Sequence, residues 1–331
     1  MTDFDVFLHG DVFLDLVFAG LPTAPQPGTE TFASSMGTLP GGIATLGIAC
    51  ARLGLRTALA AGFGDDAYGA WIRSALEAEG VDISRSATFP QPTNVTVSMA
   101  YDGDRAMVTR THDLPVPAEQ FIGAPPPARA VITDLGGDRG AHRWWRDAAA
   151  SGAKVYADIG WDPTGAWDPA RLEPLRECAA FAPNEHEAMR FTGTASAEAA
   201  LDALSEIVPL AVVTRGPNGA IAQDRGTGER AEAPGIALGL VDPTGAGDVF
   251  MAALVYARLR AWPLQRVLDF AVLCASLSVT QIGGAFAAPG WHEISSWFVE
   301  ADDDLWRRYS WIPTVIPPGE HAKVRRAPET I

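Results

Sequence analysis

Lysine is almost absent from this chain, because Lys154 and Lys323 are the only two lysines among 331 residues. No Gly-Lys-Ser or Gly-Lys-Thr triplet occurs, so the sequence excludes a phosphate-binding loop of the Walker type. Any phosphate site in this protein must therefore be built from backbone amides, arginine side chains and metal ions.

Other scarce features narrow the class further. The three cysteines are widely spaced, and Cys50 and Cys274 lie in helical patterns where we expect small core residues. The six histidines stand singly, without the spacing of zinc ligands. No apolar run reaches the length of a membrane span, and Asp3 and Asp5 interrupt the first residues, so we expect a cytoplasmic location.

The charge balance bears on the choice of partners. The formal net charge of −15 argues against nucleic acid or an anionic membrane as a partner. It does not exclude a small anionic ligand, because a local site can override the mean field of the protein. Hydrophobic residues make up 47% of the chain, which is enough for a large core.

Strand-like and amphipathic helical runs alternate along most of the chain. The predicted strands are residues 4–8, 57–61, 130–134, 154–158, 179–182 and 210–214. The predicted helices are residues 43–53, 67–79, 141–150, 185–191, 246–259 and 264–280. This alternation predicts a three-layer α/β/α fold with a mostly parallel sheet. Ligands of such sheets bind at the carboxyl ends of the strands.

The most informative stretch is residues 242–248, Asp-Pro-Thr-Gly-Ala-Gly-Asp, which an apolar helical pattern follows. Small residues where a helix begins let an anion approach unpaired N–H groups and the positive end of the helix dipole. A carboxylate beside such an anion site suits a general base that takes a proton from an attacking hydroxyl. The alternative is that Asp248 only favours the start of the helix.

This run resembles the second signature of the ribokinase-like (PfkB-type) carbohydrate kinase family. In that family the last Asp of the motif is the catalytic base, and the Gly-Ala-Gly amides form the anion hole for the transferred phosphoryl group. The resemblance implies that Asp248 is the base and that Gly245, Ala246 and Gly247 form the anion hole. It extends over about residues 4–289 and includes six elements in family order.

Two β-rich segments, residues 12–18 and 95–108, interrupt the alternation, and ordinary edge hairpins are one interpretation. In the family, equivalent insertions build a small β-sheet lid over the sugar site and often pair between subunits. The resemblance implies a kinase domain of residues 1–289 with lid segments at about 11–36 and 90–112. It also implies a homodimer formed through the lid.

Asp15 matches the family's early acceptor of sugar hydroxyls. A carboxylate suits this task because it accepts two hydroxyl hydrogen bonds in a fixed fork. Asp11 is the competing candidate, and either residue could simply form a turn. Arg105 and Arg110 lie on the expected lid, where Arg110 is the candidate contact for an anionic substrate group. A solvated face is the alternative for both arginines, and the lack of a cationic cluster favours a neutral sugar.

Gly41 and Gly42 resemble the di-glycine of the family's first signature, where glycine lets a sugar approach the backbone. The spacing between this di-glycine and the end of the following helix is one residue short, and Thr45 or Leu46 stands where the family has asparagine. Thr45 is our candidate for the substrate contact. Because the amide is missing, the pattern does not specify ribose.

Asn184 and Glu187 resemble the family's Asn-x-x-Glu element, which orders Mg²⁺ near the phosphates, largely through water. Mg²⁺ keeps several waters and needs few direct protein ligands, which fits so small an element. The same spacing also predicts a capping box at the start of a helix, with Asn184 as the N-cap. Both interpretations can hold together.

Further elements resemble the nucleotide site of the family. The residues of its Thr-x-Gly-x-x-Gly turn are Thr214, Arg215, Gly216 and Gly219. Arg215 would meet phosphate oxygens there, although turn chemistry alone also explains the glycines. Ala275 and the turn at residues 283–285 resemble the segment that flanks adenine and, in some members, a monovalent cation. The resemblance therefore implies ATP and Mg²⁺ as cofactors, with a monovalent cation as a further candidate.

The function predicted from these elements is ATP-dependent phosphorylation of a hydroxymethyl group on a sugar or sugar-like substrate. One alternative is an NAD-dependent oxidoreductase, because residues 62–67, Gly-Phe-Gly-Asp-Asp-Ala, mimic a dinucleotide fingerprint. That fingerprint normally follows the first strand of a sheet, which this one does not. Another alternative is a catalytically silent sugar- or nucleotide-binding protein on the same fold.

Residues 290–331 depart from the family pattern. Their aromatic residues are Trp291, Trp297, Phe298, Trp306, Tyr309 and Trp311. Aromatics at this density bury surface against their own domain or against a partner. We expect this extension to pack on its own domain.

Overall fold

The computed structural model describes residues 3–101, 104–135, 142–162, 164–318 and 323–328. The strands in these residues are β1 Phe4–His9, β2 Val12–Ala19, β3 Ser35–Gly42, β4 Thr57–Ala60, β5 Gly62–Gly64, β6 Ala87–Phe89, β7 Asn94–Tyr101, β8 Asp104–Arg110, β9 Ala128–Asp134, β10 Lys154–Asp158, β11 Ala180–Phe181, β12 Leu210–Thr214, β13 Ala220–Asp224 and β14 Glu229–Ala233. The helices are α1 Ile43–Arg52, α2 Ala67–Ala78, α3 Ala118–Ile122, α4 Trp144–Ala150, α5 Glu185–Thr192, α6 Ala197–Ser205, α7 Ala246–Leu259, α8 Leu264–Ser278, α9 Gly284–Ala287, α10 Trp291–Glu300 and α11 Asp303–Arg308.

Eight strands form a central sheet in the order β14-β13-β12-β11-β10-β9-β1-β4. Six neighbouring strands of this sheet are parallel, namely β4, β1, β9, β10, β11 and β12. Strands β13 and β14 extend one edge as antiparallel strands. Val6 and Leu8 belong to a core with α1, α2, α7 and α8, whereas Phe7 belongs to a second core with α3 to α6. Helices therefore cover both faces of the sheet, and the predicted three-layer α/β/α fold is confirmed.

A second sheet has four strands in the order β3-β2-β7-β8. Strands β2 and β7 run parallel, and the outer pairs are antiparallel. This is the small sheet that the fold prediction included, and we call it the lid sheet. The prediction missed β3, because its sequence Ser-Met-Gly-Thr-Leu-Pro-Gly-Gly carries glycine and proline rather than the alternation of a typical strand.

Several predicted elements coincide with the structure, and others differ at their ends. The predicted strands 154–158 and 210–214 and the predicted helix 246–259 have the bounds of β10, β12 and α7. The helix predicted for residues 141–150 is described from Trp144, and Ala141 lies outside the described residues. Helix α6 and strands β13 and β14 were not predicted.

The aromatic extension packs on its own domain as far as residue 318, as predicted. Trp291 and Tyr309 are fully buried. The ring of Trp291 contacts Tyr256 of α7 and Phe270 of α8, whereas the ring of Tyr309 contacts Trp297 and Trp311 of the extension. The hydroxyl of Tyr309 donates to the carbonyl oxygen of Asp269 at 3.0 Å, and Nε1 of Trp291 donates to the carbonyl oxygen of Leu53 at 3.2 Å. Within the described part of the chain, no helix is both long and apolar enough to span a membrane.

Residues 323–328, which we call the C-terminal segment, cross from α10 to the edge of the lid sheet. The backbone N–H of Thr38 in β3 donates to the carbonyl oxygen of Pro328 at 2.9 Å. Nη2 of Arg52 donates to the carbonyl oxygen of Arg325 at 2.8 Å, while its Nε pairs with the buried carboxylate of Glu79 at 2.8 Å. The segment therefore joins the lid sheet to the end of α1.

Candidate active site

Helix α7 begins at a turn that only glycine can form. Gly245 has a φ of +77°, and a Cβ on it would lie 2.9 Å from Cα of Gly284 and 3.0 Å from Cγ2 of Thr45. A side chain at this position is therefore excluded by backbone conformation and by close neighbours. The first N–H groups of α7 lie at this turn, together with the positive end of the helix dipole.

Asp242 connects this turn through hydrogen bonds to the residue before α9. It is buried, and its Oδ1 accepts from the backbone N–H of Thr244 at 2.9 Å while its Oδ2 accepts from that of Gly283 at 3.2 Å. Sequence analysis gave this residue no role. The signal was present, because an Asp two residues before a Thr is a common side-chain turn.

Asp248 lies in the first turn of α7 and is half-buried. Burial raises the pKa of Asp248 well above its ordinary value, and the charges of Asp158 and Asp15 raise it further, whereas Arg105 lowers it. The predicted base thus shares one electrostatic environment with the predicted sugar-binding carboxylate Asp15. A carboxyl with a raised pKa is better suited to accept a proton near neutral pH than an ordinary aspartate.

Asp15 projects from β2 and is buried. Burial raises its pKa to about 7, the hydrogen bond with Thr96 opposes the rise, and Asp242 adds to it. Its carboxyl group lies against Gly41, where a Cβ would overlap it. Asp11 lies instead in the turn before β2, where its carbonyl oxygen accepts from the N–H of Ile43 at 3.0 Å.

Helix α1 brings Thr45, and not Leu46, to the start of α7. Thr45 is buried with its methyl group beside Gly245, and its Oγ1 donates to the carbonyl oxygen of Pro40 at 3.4 Å. Leu46 is buried in the core under α7. Of the two candidates, Thr45 is therefore the one whose side chain lies beside the turn at Gly245.

The register of the lid sheet separates the two lid arginines. Asp15 pairs with Thr96 of β7, which pairs with Thr109 of β8, and the two threonine hydroxyls are 3.1 Å apart. Because side chains alternate along a strand, Arg105 shares the face of Asp15 and Thr109, whereas Arg110 lies on the opposite face. The structure therefore does not bring Arg110 together with Asp15.

Acidic groups meet at the carboxyl ends of the central strands. Asp158 ends β10 beside Asp134 of β9. Burial raises the pKa of Asp158, and the charge of Glu187 adds to the rise. Burial also raises the pKa of Glu187, whereas Asn184 and Arg105 lower it. Asp158 was missed, although an acid at the last position of a predicted parallel strand was a usable signal.

Asn184 and Glu187 form the predicted capping box at the start of α5. Oδ1 of Asn184 accepts from the N–H of Glu187 at 2.9 Å, and Oε2 of Glu187 accepts from the N–H of Asn184 at 3.2 Å. Among the residues that the structure describes, no three His, Cys, Asp or Glu side chains could hold a metal ion by themselves. A divalent cation at this end of the sheet would therefore need water or phosphate oxygens as further ligands.

The turn after β12 adjoins α5, because Thr214 bridges to Asn184. Gly216 and Gly219 have φ values of +52° and +83°, and a Cβ on Gly219 would overlap the carbonyl oxygen of Ala233. The backbone of the turn itself therefore explains why glycine stands at both positions. Nη2 of Arg215 lies 2.6 Å from the carboxylate of Glu232, so its guanidinium is held at the surface beside this turn.

The segment expected beside the adenine lies close to the anion-hole turn. Gly283 and Gly284 have φ values of +133° and +36°, and Gly284 packs against Gly245. Ala275 lies one turn before the end of α8, where its carbonyl oxygen accepts from Oγ of Ser278 at 2.8 Å. The strand ends, the first turn of α7 and the lid sheet thus surround one region.

Comparison with known proteins identifies this arrangement. Residues 135–291 match the sequence model of the pfkB family carbohydrate kinases. The chain is 29% identical over 293 residues to the nucleoside kinase of Methanothermobacter thermautotrophicus, covering 85% of this chain and 88% of that protein.

Solved structures agree with the fold. The chain is 23% identical to Arabidopsis thaliana ribokinase complexed with ribose and ATP, with a TM-score of 0.72, covering 89% of this chain and 98% of that one. A candidate ribokinase II from E. coli in complex with ATP and Mg²⁺ gives a TM-score of 0.74 at 22% identity, covering 90% and 99%. The fold is that of ribokinase. In sequence and in fold, the chain is therefore similar to the ribokinase-like (PfkB-type) carbohydrate kinases.

Proposed function

We propose that this protein transfers the γ-phosphoryl group of ATP to a hydroxymethyl group of a sugar or sugar-like substrate. The observation that carries the proposal is the pairing of two carboxylates beside one anion-hole turn. The charge of Asp15 in the lid sheet raises the pKa of Asp248 in α7, and Gly245 begins that helix between Thr45 of α1 and Gly284 of α9.

In this reaction Asp248 takes the proton of the attacking hydroxyl. The hydroxyl oxygen forms a bond to phosphorus while the bond from phosphorus to the oxygen of ADP breaks. The first amides of α7, at Gly245, Ala246 and Gly247, donate to the phosphoryl oxygens, where negative charge spreads in the transition state. Asp15 accepts hydrogen bonds from sugar hydroxyls and orients the reacting one.

Mg²⁺ would neutralise phosphate charge when bound. Glu187 and Asn184 would hold it largely through water, with Asp158 as a further acceptor at the same strand ends. The relative from E. coli was solved with ATP and Mg²⁺, which supports both as cofactors. The Thr214–Gly219 turn and Ala275 would contact the nucleotide, and a monovalent cation near residues 283–285 stays a prediction.

We further propose that residues 1–289 act as the kinase domain, with lid segments at about 11–36 and 90–112, and that a second copy pairs through the lid. The face of the lid sheet that turns away from Asp15 is apolar and partly exposed, and Val108 is 65% exposed. The apolar residues of this face include Leu16, Phe18, Val97, Met99 and Val108, and Arg110 lies on the same face at the end of β8. An apolar sheet face of this kind fits the same face of a second copy.

The oxidoreductase alternative has less support. The N-terminus of α2, which would meet a dinucleotide pyrophosphate, holds the carboxylate of Asp66. Its Oδ1 accepts from the N–H of Gly69 at 2.9 Å, and its Oδ2 accepts from the N–H of Thr93 at 2.9 Å. A carboxylate at this place repels an anionic ligand.

A phosphate-transfer screen tests the proposal directly. ATP with Mg²⁺ is offered with neutral sugars, nucleosides, sugar acids and sugar phosphates, and ADP release is compared with that of an acceptor-free blank. We expect a neutral polyhydroxylated acceptor to react, and deoxy analogues to react more slowly. Thermal stabilisation by NAD but not by ATP with Mg²⁺ would favour the oxidoreductase. Binding of ATP without transfer to any acceptor would favour the silent binding protein.

Glu187→Gln should raise the Mg²⁺ concentration needed for half-maximal rate by about tenfold or more, because a neutral amide orders metal-bound water less well. Glu185→Gln is the matched control, since Glu185 is an exposed acid in the same helical turn. Rates are measured over a Mg²⁺ titration at saturating ATP. If the curves of Glu187→Gln and the parent protein overlay, Glu187 is only a helix cap.

Acceptor affinity should depend on pH through Asp15. Its pKa is about 7, so the ionised fraction, which accepts at both oxygens, rises about tenfold between about pH 6 and pH 8. We expect KM for the acceptor to fall over that range in the parent protein and to stay high and flat in Asp15→Asn. A falling KM in the variant would assign the titration to another group.

The ionisation of Asp15 should affect stability in the opposite direction, because the protonated carboxyl group favours the folded protein at low pH. Its folded pKa lies above the ordinary value of 3.8, so the folded protein holds a proton that the unfolded chain releases between about pH 4 and pH 7. The contribution of Asp15 to the free energy of unfolding is complete at low pH and is lost as the pH rises through 7. Thermal unfolding should therefore show Asp15→Asn stabilised relative to the parent at pH 8 but not at pH 4.

A further inference from the structure

Arg105, Met107 and Thr109 of β8 lie on the same face of the lid sheet as Asp15. Of these three residues, Arg105 lies furthest along the strand from Asp15. Its cross-strand partner is Ala100, whereas Met107 lies opposite Ser98 and Thr109 lies opposite Thr96. The even-numbered residues of β7 face inward and are buried from Asn94 to Ala100. Because strand side chains alternate, Arg105 projects on this inward side.

The lid sheet touches the site in a fixed order along β7. Thr96 bonds Asp15 at the sugar side. Ser98 is fully buried, and its Oγ is 3.1 Å from Oγ1 of Thr244, the residue before Gly245. Ala100 and its partner Arg105 come next, one same-face step of about 7 Å further along the strands. This order runs from Asp15 to the turn before α7 and then to Arg105.

The electrostatic surroundings agree with this order. Arg105 lowers the pKa of Asp248 and the pKa of Glu187, which are raised by burial. The groups that shift the pKa of Asp15 are Thr96 and Asp242, beside its burial. The guanidinium charge thus acts on the base and on the metal-proximal acid, between which the transferred phosphoryl group must pass.

We propose that Arg105 is a catalytic residue that reaches from the lid sheet to the transferred phosphoryl group and hydrogen-bonds its oxygens during transfer. The inference rests on the proposed kinase function. The proton of the acceptor hydroxyl goes to Asp248, and the leaving oxygen stays with ADP. A planar guanidinium can bond two phosphoryl oxygens at once, and in a chain with two lysines this task falls to an arginine.

This assignment makes the lid a part of the catalytic apparatus as well as a cover. Closing over the acceptor would bring the positive charge to the phosphoryl group only when an acceptor is present. Without an acceptor bound to Asp15, the lid would not close. Transfer of the phosphoryl group to water would then be slow. Arg110, on the opposite face of the same strand, cannot take this role by a change of rotamer.

The test compares Arg105→Gln, Arg105→Lys and Arg110→Gln with the parent protein, using the acceptor found by the screen. Arg105→Gln should lower kcat by about 10²–10³-fold with little change in the acceptor KM, and Arg105→Lys should recover part of the loss. The acid limb of the kcat profile should also move to higher pH in Arg105→Gln, because a positive charge beside Asp248 is gone. Arg110→Gln should lose less than Arg105→Gln.

Binding of ADP with Mg²⁺ and aluminium fluoride, which imitates the transferred phosphoryl group, gives a readout besides activity. Arg105→Gln should bind this mixture at least tenfold more weakly than the parent and bind ADP alone equally well. Unchanged kcat and unchanged fluoride binding would overturn the inference, and so would a loss confined to the KM of anionic acceptors. If the parent protein transfers phosphate to no acceptor, the proposed function itself fails. A parent that transfers while Arg105→Gln matches it refutes only the role of Arg105.

Discussion

Asp248→Asn should lower kcat by about 10²–10⁴-fold while leaving the affinities for acceptor and ATP nearly unchanged. Asparagine keeps the shape of the side chain and removes the ability to take the acceptor proton. Burial already disfavours the charged form of Asp248, so the variant should unfold at the same temperature or a higher one. Single-turnover rates with saturating acceptor and ATP separate the chemical step from binding.

Asp303→Asn is a matched control, because Asp303 is an exposed acid in the first turn of another helix, α11. If acids in first turns matter only through the helix dipole, both substitutions should have similar small effects on stability and none on rate. Turnover at the parent rate in folded Asp248→Asn would remove Asp248 from the mechanism.

Gly41→Ala should lower kcat/KM for the acceptor by about 100-fold or more without affecting ATP binding. A Cβ at this position would overlap the carboxyl group of Asp15, so the carboxyl must move away from the place where it accepts sugar hydroxyls. A displacement of about 1 Å at such a group is enough for a loss of this size. Initial rates over a range of acceptor concentrations, with ATP binding by titration, measure the two effects separately.

Gly47→Ala provides the comparison within the neighbouring helix α1. The nearest atom to a Cβ on Gly47 is Cγ1 of Val81 at 3.8 Å, an ordinary contact, and alanine stabilises a helix interior by about 1 kcal/mol relative to glycine. This variant should keep the parent kinetics and unfold at a slightly higher temperature. If Gly41→Ala has the acceptor kinetics of the parent protein, the present position of the Asp15 carboxyl group is not needed for acceptor binding.

The sequence predicted best the elements whose signals are local. Helix α7 has a glycine start and a long apolar pattern, and the capping box of Asn184 and Glu187 is complete within four residues. Strand β3 lacks a local signal, since its place depends on pairing with β2 along its whole length. Pairing energy from a neighbouring strand can override poor propensity, which a single segment does not reveal.

In the site, as in the fold, the residues with local signals were the ones that the sequence predicted best. The residues of the second signature could be placed because turn and helix dipole define one anion site. The choice between Arg105 and Arg110 could not, because it depends on the register of β7 and β8. A shift of one residue in that register would exchange the two faces. Asp158 and Asp242 each carried a local signal, but their interactions with Glu187 and Gly283, which are distant in sequence, could not be predicted.

The contacts of the C-terminal segment are made largely by its backbone. Carbonyl oxygens of Arg325 and Pro328 accept from Arg52 and Thr38, and the N–H of Val324 donates to Glu293 at 3.2 Å. Bonds of this kind constrain the path of the chain and leave most side chains free to change. Substitution should therefore be tolerated along residues 323–328 where deletion is not. The path of the C-terminal segment can therefore persist while its sequence changes, so that a comparison of backbones is the more sensitive way to detect such a segment.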